Sequence, residues 1–344
     1  MYSLRVDPLG HTVDVQDGET VLQAALRNGR LLRYGCGHGG CGTCKVRLVD
    51  GVVDERVDSF ALDSRDRASG MILACSSAPV QDCTIDVSAM ELSEEEFLSG
   101  DRSTTFRTRI ETVDAVCPDI YRLRLALVAP RRMSFVAGQF VNVGVPGTDL
   151  TRSYSMANGP ADDEAVELYC RIYPGGLFSD YLRTRAKVGD ELSCAGPFGQ
   201  LKLHASHRPI LMIGGGSGLA PLLSLLRELA ARQVHRPVSL FFGARTPADL
   251  YALNEIQELG ERIEDFTFVP VLSESWPAEW SGETGLVTDA VAARHGRLAH
   301  DVYLCGPPLM IEAATELAIA RGARPRNIYF DAFVPAVPVG VGVA

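Results

Sequence analysis

Positive charge is in short supply: 33 Lys and Arg stand against 43 Asp and Glu, a formal net charge of −10 at pH 7. That balance argues against nucleic acid and against an anionic membrane surface as partners. An unbroken apolar stretch is missing too. The uncharged run from Pro209 to Leu226 reaches the lower length of a membrane span, but Gly214-Gly215-Gly216-Ser217-Gly218 and Pro221 interrupt it. Strand, glycine loop and helix describe it better. No internal repeat is present and no leader pattern: Met1-Tyr2-Ser3-Leu4-Arg5 runs straight into alternating residues. Nine cysteines, an odd number, point to thiols used as ligands in a reducing cytoplasm rather than to disulfides. With 22% charged and 46% hydrophobic residues, the 344-residue chain reads as ordinary globular protein of two or three domains.

What is present centres on Arg33-Tyr34-Gly35-Cys36-Gly37-His38-Gly39-Gly40-Cys41-Gly42-Thr43-Cys44 and a separate Cys75. The spacing C-x4-C-x2-C with a distant fourth cysteine is the plant-type pattern for a 2Fe-2S cluster. Cys36, Cys41, Cys44 and Cys75 are therefore the expected metal ligands. The interleaved glycines fit, because backbone packed around a cluster needs positive φ and no Cβ. Inward-turned N–H groups also stabilise the cluster's negative charge. A structural zinc site is the competing reading, although zinc thiolates usually come as two C-x2-4-C knuckles; it would leave the protein colourless. His38, at the loop tip, reads as a solvated residue rather than a ligand.

Residues 1–90 around this loop have the pattern of a small α+β unit, a mixed sheet crossed by one helix, and with that ligand spacing they resemble a β-grasp ferredoxin domain. Leu4–Asp7 and Thr12–Gln16 alternate as strands, and Val21, Leu22, Ala25 and Leu26 share a helix face with Gly29 at its C-terminal cap. Lys45–Val49 ends at Asp50-Gly51, a hairpin signal, and Met71–Cys75 and Cys83–Val87 complete a mixed sheet. Residues 91–102 form an acidic linker, in which Glu91, Glu94, Glu95, Glu96 and Asp101 face only Arg102. A solvated hinge is expected there.

Residues 103–206 carry six short strands, near 107–116, 121–128, 139–145, 152–156, 165–172 and 191–195, as in an antiparallel β-barrel. Gly175-Gly176 opens a helix whose first N–H groups suit a phosphate. From 207 to 333 the rhythm becomes strand, loop, helix, with strands near 210–213, 238–242, 266–271, 302–304 and 328–330. Leu222, Leu225, Leu226 and Leu229 form one helix face, and Thr246-Pro247 signals another helix start. This is a doubly wound α/β domain whose ligand belongs at the carboxyl ends of parallel strands. Residues 334–344 read as a flexible tail.

Four motifs stand in order along the chain: Arg152-Ser153-Tyr154-Ser155; Gly175-Gly176 with Ser179; Gly214 through Pro221; and Cys305-Gly306-Pro307-Pro308-Leu309-Met310. Together they resemble the ferredoxin-NADP reductase superfamily of flavin enzymes. With the cluster module in front, Tyr2 to about Phe333 resembles the NADH-dependent reductase components of bacterial multicomponent monooxygenases. These are the phenol, toluene, propane and methane types, whose hydroxylases carry a diiron centre.

The resemblance implies FAD, a 2Fe-2S cluster and NADH as electron donor. Arg152 would pair with the flavin pyrophosphate, with Ser153 in the same cofactor-binding strand. Tyr154 would lie on the isoalloxazine, and Ser155 would hydrogen-bond N5, where hydride arrives. Gly175, Gly176 and Ser179 would wrap the flavin phosphates. Gly214, Gly215, Gly216, Ser217, Gly218 and Pro221 would hold the phosphates of the nicotinamide nucleotide. Cys305, with Gly306, Pro307 and Met310, would sit beside the nicotinamide. Asp331 or Phe333 would shield the ring or shuttle a proton; a last strand with a hydrophobic latch is an equal alternative.

NADH releases two electrons as hydride and the cluster accepts one, so the flavin would split the pair. The cluster would then serve a diiron hydroxylase docked at its loop. NADPH-specific relatives usually place Ser-Arg after the third strand of the nucleotide domain, where this chain has Leu272-Ser273-Glu274-Ser275. A carboxylate repels a 2′-phosphate, which favours NADH, with Arg245 as the one residue that could compensate. A reductase of a Rieske-type aromatic dioxygenase is the nearest alternative, and a non-catalytic flavin and iron–sulfur redox sensor the second.

Overall fold

A computed structural model describes residues 1–34, 37, 39, 42–56, 61–99, 104–148, 150–274 and 276–333. The chain divides into two compact units, one running to Thr104 and the other starting at Thr105.

The first unit contains strands β1 (Tyr2–Asp7), β2 (His11–Val15), β3 (Lys45–Asp50), β4 (Val53–Glu55), β5 (Met71–Leu73), β6 (Ser77–Pro79) and β7 (Cys83–Asp86). Its helices are α1 (Val21–Arg27), α2 (Ser64–Ala68) and α3 (Glu94–Leu98). Five strands form a sheet in the order β2-β1-β7-β3-β5. The β1–β7 pair is parallel, whereas β1–β2, β3–β5 and β3–β7 are antiparallel. Alternation does the placing: Leu4 and Val6 of β1 and Val13 and Val15 of β2 are buried, with Arg5 and Asp14 outside. Helix α1 starts at a Thr20–Gln23 capping box, buries Val21, Leu22, Ala24 and Ala25, and stops before Gly29 at φ +66°. This is the β-grasp arrangement the sequence predicts.

Two local expectations change. Asp50-Gly51 does not close a hairpin. Because β7 and β5 occupy both edges of β3, the chain leaves the sheet and β4 pairs with β6 as a separate ribbon. Nor are residues 91–99 a solvated hinge. Ser93 and Glu96 form a capping box at the start of α3, and Phe97 is fully buried. The Leu31 N–H donates to the Phe97 carbonyl at 2.8 Å, and His11 Nε2 meets Glu94 Oε1 at 2.8 Å. Phe97 and the buried Leu92 dock the segment, since burying them outweighs solvating their acidic neighbours. Residues 100–103 and 334–344 lie outside the described residues.

The second unit opens with β8 (Thr104–Cys117), β9 (Ile120–Ala129), β10 (Phe140–Gly144), β11 (Thr151–Ser155), β12 (Ala165–Arg171) and β13 (Glu191–Phe198), with helix α4 (Leu177–Thr184) before the last strand. The order is β11-β10-β13-β8-β9-β12. A bridge between Met156 and Leu168 joins the two ends, so the sheet closes as a barrel around Ile110, Leu123, Val141, Met156 and Leu168.

A six-stranded parallel sheet follows: β14 (Ile210–Gly215), β15 (Val238–Ala244), β16 (Phe266–Leu272), β17 (Glu283–Thr284), β18 (Asp301–Gly306) and β19 (Ile328–Ala332). Its helices are α5 (Leu219–Arg232), α6 (Leu253–Gly260), α7 (Val287–Arg294) and α8 (Pro308–Ala320). Strand order β17-β16-β15-β14-β18-β19 reverses direction between β14 and β18, which makes the carboxyl ends of those two strands the switch point where ligands bind. Leu222, Leu225, Leu226 and Leu229 of α5 are buried against the sheet. Thr246-Pro247 starts only a 3-10 turn, Pro247–Asp249; α6 begins at Leu253 after Ala252, whose φ of +57° breaks the helical path.

Candidate active site

In the first unit, Cys44 precedes β3 and Cys75 follows β5, and the Ala74 N–H donates to the Cys44 carbonyl at 3.0 Å. Their Sγ atoms stand 3.2 Å apart, and the Gly39 N–H points at Cys75 Sγ from 3.1 Å. Gly37, Gly39 and Gly42 have φ of +72°, +90° and +74°, backbone that side chains rarely allow. Two converging sulfurs with an amide donor and left-handed turns fit the ligand set of a cluster. Cys36, Cys41 and His38 lie outside the described residues.

In the second unit, β11 pairs with β10 so that Arg152, Ser153, Tyr154 and Ser155 face Val143, Asn142, Val141 and Phe140. The Ser153 hydroxyl donates to Asn142 Oδ1 at 2.7 Å, and an Arg152 Nη donates to the Thr151 carbonyl at 2.8 Å. The Tyr154 ring lies 5.4 Å from that of Phe178 in α4, and burial raises its phenol pKa well above the ordinary value. Just before α4, the Tyr173 N–H donates to Ser179 Oγ at 3.0 Å, while Gly175 turns at φ +71°. A Cβ on Gly176 would lie 2.9 Å from the same oxygen. Ser179 therefore shapes the loop as well as facing it.

The nucleotide loop is built by two glycine turns pressed together. A Cβ on Gly218 would run into the Cys305 carbonyl, and one on Gly215 would lie 2.8 Å from Met310 Sδ. Gly306, at φ +144°, approaches Gly215 just as closely: a Cβ added to it would lie 2.9 Å from the Gly215 carbonyl oxygen. Pro221 sits in the first turn of α5, where its missing N–H costs nothing. Gly216 turns at φ +56°, and its carbonyl accepts from the Tyr251 phenol at 2.9 Å. Backbone N–H groups at a helix start, free of side chains, make a cradle suited to phosphate.

The motifs from barrel and sheet converge. Ser155 Oγ of β11 stands 3.4 Å from Asp331 Oδ2 of β19, and Asp331 is the ladder partner of Cys305 in β18. Cys305 is fully buried, and burial, with Asp331 adding, pushes its thiol well above the ordinary value. It is a neutral packing group rather than a thiolate. The Phe333 N–H donates to the Gly306 carbonyl at 2.8 Å, which anchors that residue by its backbone. A hydroxyl, a thiol and a carboxylate thus meet at the switch point.

Three residues here were not predicted from sequence: Arg171, Tyr251 and Asp119. A Cβ on Gly216 would lie 3.3 Å from an Arg171 Nη, which puts that guanidinium over the phosphate loop. Asp119 Oδ2 accepts from Arg171 and from Arg245, each at 3.1 Å. Past β16, the Glu274 N–H donates to the Arg245 carbonyl at 3.0 Å; Ser275 lies outside the described residues.

Comparison with known proteins agrees with this geometry. Residues 4–80 match the 2Fe-2S iron-sulfur cluster binding domain family, 107–203 the oxidoreductase FAD-binding domain and 212–316 the oxidoreductase NAD-binding domain. The chain is 39% identical to the propane 2-monooxygenase reductase component of Mycolicibacterium smegmatis, over 96% of this chain and 97% of that protein. To the phenol 2-monooxygenase reductase component of a Pseudomonas species it is 37% identical, covering 97% and 95%. The crystal structure of an Amycolatopsis cytochrome P450 reductase superposes with a TM-score of 0.84 at 34% identity, covering 98% of this chain and 100% of that one. The chain belongs to the ferredoxin-NADP reductase superfamily, as an NADH oxidoreductase of the three-domain kind that serves oxygenases as their reductase component.

Proposed function

We propose that this reductase passes electrons from NADH to the hydroxylase component of a diiron monooxygenase, which docks at the ferredoxin domain. The step from NADH to flavin is supported by the meeting of Ser155, Cys305 and Asp331 where the barrel joins the switch point of the nucleotide sheet. When bound, FAD supplies the exchange between two-electron and one-electron chemistry that links NADH to the cluster.

The chain's own residues have the following proposed roles. Arg152 pairs its fork of donors with the flavin pyrophosphate, Ser153 holds the strand, and Tyr154 packs on the ring. Gly175, Gly176 and Ser179 wrap the flavin phosphates from the start of α4. Ser155 offers its hydroxyl to flavin N5, with Asp331 behind it as proton carrier. Cys305 fills the space beside the nicotinamide, and Phe333 covers the ring's edge. Gly214, Gly215, Gly216, Ser217 and Gly218 cradle the nucleotide diphosphate, with Pro221 starting the helix, while Gly306, Pro307 and Met310 form the opposite wall. Cys36, Cys41, Cys44 and Cys75 hold the cluster, and their loop is the exit for electrons.

Support for a monooxygenase hydroxylase comes from the propane and phenol relatives, both named as monooxygenase reductase components. Reconstitution with purified hydroxylases tests it. NADH-coupled hydroxylation is expected with a diiron hydroxylase, and coupling only with a Rieske dioxygenase would transfer the assignment there. Rapid NADH-dependent cytochrome c or ferricyanide reduction excludes a non-catalytic sensor.

A further inference from the structure

Asp119, in the turn between β8 and β9, takes part in none of these roles, yet its Oδ2 bridges two guanidiniums. It accepts from Arg171 and Arg245 at 3.1 Å each. Arg245 is held again by Asp249 Oδ1 at 2.7 Å, and Glu274 is tied to its carbonyl by the backbone bond at 3.0 Å. The Asp249 hydrogen bond foremost, with Asp119 and Glu274 adding, raises the guanidinium pKa. Two carboxylates therefore hold one guanidinium, and the charge of a third, Glu274, adds to their field.

Its place in the fold gives this cluster meaning. A dinucleotide with its diphosphate at the turn after β14 lays its adenosine across the carboxyl ends of β15 and β16. Arg245 follows β15 directly, and Ser273 and Glu274 follow β16. An arginine at such a position is what accommodates a 2′-phosphate. Here the arginine is already committed.

We propose that Asp119, assisted by Asp249, sets coenzyme choice from the flavin barrel: by neutralising Arg245 it denies a 2′-phosphate its cation. The proposal rests on the NADH reading above. A 2′-phosphate would bring its charge up to Asp119, Asp249 and Glu274 without a free guanidinium to offset them. A 2′-hydroxyl meets no such repulsion and finds carboxylate acceptors.

The test is calorimetric binding of 5′-ADP and of 2′,5′-ADP to the FAD- and cluster-loaded protein, for the wild type, Asp119→Asn and Asp119→Asn/Arg245→Ala. Wild type is expected to favour 5′-ADP. Asp119→Asn should shift the ratio of the two dissociation constants about fivefold to tenfold toward 2′,5′-ADP. The NADPH-to-NADH ratio of kcat/KM should move the same way. Removing Arg245 as well should return both ratios to within about twofold of wild type. Asp119→Ser must show the same sign, which separates lost charge from a disturbed turn. An unchanged ratio in Asp119→Asn, or a shift that survives the loss of Arg245, overturns the proposal. A wild type that favours 2′,5′-ADP would instead overturn the NADH reading on which it stands.

Discussion

Ser155 carries a hydroxyl on a barrel strand to within 3.4 Å of a carboxylate on the parallel sheet. Ser155→Ala should slow NADH-driven flavin reduction by about 100-fold in stopped-flow measurements, the scale of a lost proton-handling group. Reduction by dithionite should proceed as before, and a loss under about threefold would remove Ser155 from the chemistry. His300 offers a pH handle. Burial, with the His295 ring 5.1 Å away adding, lowers its imidazole pKa to about 4, and its Nδ1 has no hydrogen-bond partner among the described residues. Unfolded, it would take up a proton near pH 6.5, about the ordinary histidine value. Its contribution to stability is thus complete above that pH and declines as pH falls toward 4. His300→Phe should flatten this limb in thermal unfolding followed across pH 7 to 4. Ser155 and Cys305 were legible in the sequence because each sits in a contiguous motif. Arg171, Asp119 and Tyr251 were not, because each is a common residue type whose partners lie far along the chain.

Helix α3 shows what a short element can do. Phe97 is fully buried although three glutamates precede it, and the Leu31 N–H bonds to its carbonyl. Phe97→Ala should cost about 3–5 kcal/mol, as for other buried aromatics cut to alanine. The readout is an earlier loss of cluster absorbance on heating; a shift under about 1 °C would mean that α3 is not docked. The charge run concealed this element, because a five-residue helix has too few positions for a period to show. Asp50-Gly51 misled for a different reason: local turn chemistry is right, with Gly51 at φ +101°, but pairing is decided by which strand edges remain open. The winding of β14, β15, β16, β18 and β19 was readable, since such strands are short apolar runs separated by amphipathic helices, whereas β17, two residues long and without an apolar run, was not.

Across the second unit, barrel and nucleotide sheet are joined by a buried charge cluster. Glu167 of β12 accepts from Arg227 of α5 at 2.8 Å and from Arg122 Nε at 3.0 Å, and it is 1% exposed. Burial would raise its pKa, but Arg227 and Arg122 outweigh that and hold the carboxyl below the ordinary 4.5. The link is therefore at full strength above that pH and fails as pH drops through the depressed value. Glu167→Gln leaves two guanidiniums short of a counter-charge and should cost about 3–5 kcal/mol by calorimetry at pH 7. For the relay as a whole, Cys44→Ser should abolish cytochrome c reduction while NADH-driven ferricyanide reduction continues. Equal loss of both would mean that the cluster is not the exit. The two glycine turns at the switch point have one more consequence. Gly218 meets Cys305 backbone, and Gly306 meets Gly215 backbone, with the Met310 side chain packed beside the second pair. None of these glycines can be enlarged, so evolutionary drift in coenzyme taste is channelled to the rim, where replacing a charged residue leaves the main chain undisturbed.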